Sequence, residues 1–312
     1  MNDLFTKNDY SLYSNGMTFM RSPYNADPID TPENVVILGV PSDLATSGRP
    51  GARLGPEAIR KASLNLVWEE KKFPWDFSLR ERAALLDIGD VVFDYGDAED
   101  FTYRLEDGVS DLVKANKFVV ALGGDHYMTL PILRACTKHF GEMALIHFGA
   151  HTNNRVAGST YDHRTIFHHA PQEGLISPKH TIQVGIRTAF KAETHPFNVI
   201  NAMEANELST EEIAAQIHAV VGDKPTYVTF DIGCLDPAYA PGTGAPAIGG
   251  LTTDKVLKVI RELRNINIVG LDITEVSPPY DTSEITSLAA ATIGLEWLYC
   301  WASSRPPLTS AI

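Results

Sequence analysis

Tyr227-Val228-Thr229-Phe230-Asp231-Ile232-Gly233-Cys234-Leu235-Asp236-Pro237 begins as an almost wholly apolar, β-branched run and ends on a carboxylate and a turn. A run with no polar alternation reads as a strand covered on both faces, the condition of a parallel sheet. The same pattern recurs at 35–40, 117–122, 144–148, 181–186 and 266–273. Between these runs lie helical patterns. They fall at 56–65, opened by Gly55-Pro56, and at 97–115 and 130–139. Further ones fall at 213–221 behind the capping box Ser209-Thr210-Glu211-Glu212, and at 253–263 and 283–301. Strand-helix alternation along the whole chain predicts a doubly wound α/β sheet. The working crevice of such a sheet lies at the carboxyl ends of its strands. His126, His151, Asp231 and Glu275 all stand at such ends.

Composition narrows the class. The 312 residues are 44% hydrophobic and 21% charged, enough for one large domain with a substantial core. A net charge of -13 disfavours nucleic acid and anionic membranes as partners and mildly favours cationic ligands. Cys136, Cys234 and Cys300 are odd in number and scattered, with neither zinc spacing nor a disulfide framework. Residues 1–10 are polar and carry no apolar leader segment. No apolar run approaches the roughly 18 residues of a membrane span. The expectation is a cytoplasmic protein of a single domain over 1–312.

Three segments carry a family resemblance: Gly123-Gly124-Asp125-His126, His147-Phe148-Gly149-Ala150-His151-Thr152-Asn153, and Phe230-Asp231-Ile232-Gly233-Cys234-Leu235-Asp236-Pro237. With Gly39-Val40-Pro41-Ser42-Asp43, Ala240-Pro241-Gly242-Thr243-Gly244-Ala245-Pro246 and Asp272-Ile273-Thr274-Glu275-Val276, they resemble the ureohydrolases, the arginases and agmatinases. Asn65-Leu66-Val67-Trp68 and Ser283-Glu284-Ile285-Thr286 make the bacterial agmatinases the nearest match. The resemblance spans about 14–302. It implies a three-layer αβα arginase-like fold with an eight-stranded parallel sheet, and a homo-oligomer, trimeric or hexameric. It also implies hydrolysis of a small cationic guanidino compound, agmatine, to putrescine and urea by two Mn2+ ions sharing a hydroxide. On the same ground Glu275 holds the guanidinium and His163 assists proton transfer.

The resemblance is incomplete at the metal ligands. Relatives carry two His and four Asp there. This chain keeps His126, His151 and Asp231 but has Gly149, Asn153 and Gly233 at the other ligand positions. Two divalent ions facing one retained carboxylate leave positive charge uncompensated, which is strongly unfavourable in a buried site. The expectation is an agmatinase-like scaffold with a degraded binuclear site and little or no turnover. The alternative is an active amidinohydrolase using the residual two-His, one-carboxylate set with a single metal. Asp125, Asn154, Arg155 and Arg164 are expected in the crevice, with one of the two arginines reaching in to replace the lost positive charge.

Overall fold

The computed structural model describes residues 16–308. The polar stretch 1–10 and the start of the family resemblance near residue 14 lie outside the described residues. Eight strands form one parallel sheet: β1 (Val35–Val40), β2 (Leu85–Asp90), β3 (Phe118–Gly123), β4 (Met143–Phe148), β5 (Ile176–Ile186), β6 (Asn198–Asn201), β7 (Thr226–Asp231) and β8 (Ile268–Thr274). Their spatial order is β2-β1-β3-β8-β7-β4-β5-β6.

Period-two alternation along each strand sends successive side chains to opposite faces, and both faces are buried. Ile37, Val120, Ile146, Phe230 and Ile273 point into one apolar layer, roofed by Trp297 and Leu298 among others. Val36, Ala121, Leu145 and Tyr227 point into the other, where Phe101, Leu105 and Leu133 meet them. Helices α2 (Ala98–Lys114), α3 (Thr129–Phe140) and α4 (Ile166–Gln172) cover this second face. Helices α1 (Gly55–Ser63), α5 (Ala202–Glu207), α6 (Thr210–Val221), α7 (Thr253–Glu262) and α8 (Ile285–Ser303) cover the first. The result is the three-layer αβα arrangement. The Ser209–Glu212 capping box at the start of α6 is formed, a device worth about 1 kcal/mol. Among the described residues, no helix is long and apolar enough to cross a membrane.

The fold places the candidate residues through strand order. β3, β8, β7 and β4 are consecutive neighbours in the middle of the sheet. Their carboxyl ends carry, in that order, Asp125 and His126, then Glu275, then Asp231, then the 149–153 turn. Residues up to 150 positions apart in sequence thus share one rim, the location expected for an α/β crevice.

Candidate functional site

One side of the rim is built by β3 and β8. Asp125 caps the turn after β3: its Oδ1 accepts from Tyr127 N at 3.0 Å and its Oδ2 from Ala45 N at 2.9 Å. Glu275, directly after β8, has a left-handed backbone with φ 67°. That conformation is strained for a side-chain-bearing residue, by about 1–3 kcal/mol. A bond from Glu275 N to Gly124 O at 2.8 Å holds it. The turn aims the carboxylate inward, where Oε1 accepts from His126 N and from His163 Nδ1, each at 2.9 Å. Glu275 is only 4% exposed, yet its Oε2 has no partner.

The titration of these groups follows from crowding. Burial would pull the His163 imidazolium down, but the bond to Glu275 and the charges of Glu275, Asp125 and Asp162 lift it to about 9. Asp125 and Asp231 are each pushed up to about 7, first by burial and then by the Glu275 charge. Near neutral pH the β3–β8 side of the rim holds the His163–Glu275 ion pair, a partly protonated Asp125 and one unused carboxylate oxygen.

The other side, where the His126 ring turns towards β7 and β4, is hydrogen-bonded mostly among its own groups. His126 Nε2 lies 2.8 Å from Thr229 Oγ1, which gives its own proton to Asp272 Oδ1 at 2.5 Å. Nε2 must therefore donate, so Nδ1 must accept. Its donor is the Asn153 amide, with Nδ2 at 3.0 Å. Asp231 Oδ2 stands 3.8 Å from the same Nδ1, while Asp231 Oδ1 accepts from Gly233 N at 2.7 Å. A Cβ at position 233 would fall 2.9 Å from Asp231 Oδ1. His147 accepts at Nδ1 from Gln183 Nε2 at 2.9 Å, and its Nε2 is buried without a partner. Burial, then neighbouring histidines, hold His126 well below the usual imidazole range and His147 down at about 3. Burial also lowers His151, which is half-buried and feels the charges of Glu275 and His163.

Two expectations about the crevice need correction. Arg164 is exposed and grips Asp162, with Nε to Oδ1 at 3.0 Å and Nη2 to Oδ2 at 2.6 Å. Arg155 is exposed as well. Neither arginine enters the crevice, because a carboxylate two residues away captures Arg164 more easily than the buried rim could. Asn154 also turns aside, its Nδ2 lying 3.5 Å from His195 Nδ1. The sequence reading missed Arg187, which directly follows β5 and ties down the 233–235 turn through bonds to the carbonyls of Gly233 (2.6 Å), Cys234 (3.2 Å) and Leu235 (3.0 Å). Its place at a strand's carboxyl end was the available signal. His147 was read as strand and as the first residue of a family segment, with no role of its own. Among the described residues, no group of three or more His, Cys, Asp or Glu converges to hold a metal ion.

The sequence profile described as the arginase family matches residues 33–300. An agmatinase of Serratia proteamaculans is 52% identical over 305 residues, covering 98% of this chain and 99% of that one. The chain belongs to the arginase family. Solved structures place it in the same way. A hypothetical agmatinase from Burkholderia thailandensis is 40% identical and superposes with a TM-score of 0.89 over 94% of this chain and 92% of that one. Proclavaminate amidino hydrolase from Streptomyces clavuligerus is 38% identical, with a TM-score of 0.89 over 95% and 100%. The eight-stranded αβα sheet is therefore an arginase-family fold, and the agmatinases are among its near relatives.

Proposed function

We propose that this family member is an agmatinase-type scaffold that binds a small guanidino cation, agmatine in the first instance, and hydrolyses it weakly or not at all. Near-full-length identity of about half with named agmatinases supports the ligand class. The carrying observation is that two of the three retained ligand residues, His126 and Asp231, are already engaged by residues at the vacated ligand positions. His126 Nδ1 is bonded by the Asn153 amide, and Asp231 Oδ1 by Gly233 N. With glycine at 149 and 233, no side-chain oxygen is available at those positions to balance a divalent pair. The side chains present do not fit a binuclear manganese centre. What the residues do support is cation capture. Glu275 Oε2 is buried, unpartnered and set beside the Asp125 and Asp231 carboxyls. It can accept a charge-assisted hydrogen bond from a guanidinium.

The same reading takes the chain as a single domain over 1–312 and as a cytoplasmic homo-oligomer, trimer or hexamer. Phe73 and Trp68, 83% and 52% exposed, are apolar surface that supports self-association.

Three measurements on the purified protein decide the matter: manganese content by elemental analysis, urea release from agmatine with added Mn2+, and agmatine binding by calorimetry. The expected result is less than one Mn2+ per chain, little or no urea and measurable binding. Two ions per chain with rapid urea release would overturn the reading. One tightly held metal with turnover would favour the rival, a single-metal amidinohydrolase on His126, His151 and Asp231.

A further inference from the structure

We propose that residues 45–50 form a hinged strap that closes the cation site over Glu275 and opens to admit the ligand. The proposal rests on the reading of Glu275 as the cation acceptor, but the motion itself does not. The strap follows β1 and lies against two other rim segments, 242–244 and 275–279. A Cβ built on Gly244 would meet Glu275 Oε2 at 3.2 Å, Arg49 O at 3.4 Å and Thr46 Cγ2 at 3.5 Å. A Cβ on Gly51 would fall 2.9 Å from Ser277 Oγ and 2.8 Å from Pro279 Cγ. Thr46, Arg49 and Gly51 therefore roof the segment that carries Glu275.

Under that roof polar atoms are buried without a partner: Glu275 Oε2, Ser277 Oγ and, on the strap itself, Thr46 Oγ1. A buried polar atom left unpaired is costly, and water satisfies it once it is exposed. The closed and empty strap is thus held against a penalty that opening relieves. A guanidinium bonded to Oε2 relieves part of the same penalty with the strap shut. Binding then draws the equilibrium towards the closed form, by the ligand's differential affinity for the two states.

The attachments suit a hinge. The two segments beneath are tied to each other, by Ser277 N to Gly242 O at 2.8 Å and by an antiparallel bridge between Thr243 and Val276. Among the described residues, no hydrogen bond joins 45–50 to either of them. The strap is pinned at its ends instead. Ala45 N donates to Asp125 Oδ2 at 2.9 Å, and Gly51 N to Asp43 Oδ2 at 2.8 Å. Between these anchors Thr46 N reaches Asp43 O at 3.2 Å, and the Arg49 guanidinium lies 5.1 Å over the Tyr280 ring. Residues 47–50 are exposed. Gly51 has φ 133°, a conformation open to glycine and scarcely to other residues, which frees the second hinge. A segment with few buried contacts and anchors only at its ends belongs to the low-stability part of a fold.

Native-state hydrogen exchange on the full chain, read with residue resolution, tests the motion without ligand. The Ala45 and Gly51 amides should exchange together, through one opening, about 1000-fold or more faster than the amides of β3 and β8. Protection equal to that of the central strands would overturn the proposal. Ser277→Ala removes one of the unpaired hydroxyls that the closed strap covers. It should slow the shared exchange by about threefold or more, and an unchanged or faster rate would count against the strap. Saturating agmatine should slow both amides by about tenfold or more in the natural chain and leave them unaltered in Glu275→Gln at the same concentration. Agmatine that binds by calorimetry without slowing them would overturn the strap as a gate for the ligand. Absence of binding by calorimetry would overturn the proposed function instead, and the two ligand-free results would then decide the strap alone.

Discussion

The two sides of the rim respond to the same burial in opposite ways. On the β3–β8 side, Asp125, His163 and Glu275 remain charged or poised to charge, and Glu275 Oε2 is left without a partner. On the β4–β7 side, Asn153, His126 and Gly233 close a set of mostly neutral hydrogen bonds, with the ring nitrogen His147 Nε2 left unpartnered. Buried polar groups must be satisfied either by the protein or by a ligand. The difference shows which side still has a free carboxylate acceptor for a cation: the side expected to hold the substrate, and not the side expected to hold metal.

The sharpest way to break this comparison is Glu275→Gln. Removing one partner of a buried charge-assisted contact typically costs about 2–5 kcal/mol. Agmatine binding measured by calorimetry should fall by about 100-fold or more, and the His163 resonance should titrate well below about 9. Undiminished binding would separate Glu275 from ligand capture.

A second prediction concerns pH. His163 has its folded pKa raised to about 9, above its ordinary value of 6.5. The stability it contributes is therefore complete below about 6.5 and lost as pH rises through 9. Asp125 and Asp231, raised from 3.8 to about 7, act in the same sense over a lower window. Denaturant titrations should show stability declining from pH 4 towards pH 9.5, with the upper limb amounting to on the order of 3 kcal/mol. In His163→Gln that upper limb should flatten. A rise in stability between pH 6.5 and 9 would contradict the assigned ion pair.

Smaller effects distinguish the neutral side from the surface. Asn153→Ala strands His126 Nδ1 without a donor, so denaturation should report a loss of about 1–3 kcal/mol. Arg164→Ala removes an exposed pair with Asp162. Its loss should not exceed about 0.5 kcal/mol, and agmatine binding should be unaltered. Comparable losses from the two substitutions would blur the line between the buried network and the exposed loop.

Much of this arrangement was legible in the residues. The central strands announce themselves because both faces are buried and nearly every residue is apolar. β2 and β6 escaped because they are edge strands with mixed exposure, and β6 has just four residues, Asn198–Asn201, two of them asparagine. The helices α4 and α5, seven and six residues long, are too short for a periodic pattern to show. Family motifs located His126, His163, Asp231 and Glu275 but not what their atoms do. The contact between His126 and Asn153 depends on a tautomer set by Thr229 and Asp272, 103 and 146 positions from His126. The arginines misled because proximity in sequence to a motif says nothing of a competing local partner such as Asp162.

Strand order has a consequence for the life of the chain before it is folded. β8 is the last strand to leave the ribosome, yet it lies in the middle of the sheet, paired to β3 on one side and β7 on the other. Until it inserts, β3 and β7 each present an open hydrogen-bonding edge flanked by apolar residues, the kind of surface that invites mispairing. The crevice spans that seam, with Glu275 arriving one residue after β8. Synthesis of nearly the whole chain therefore precedes any binding site, and a nascent chain stopped short of residue 268 exposes both edges with no means of closing them.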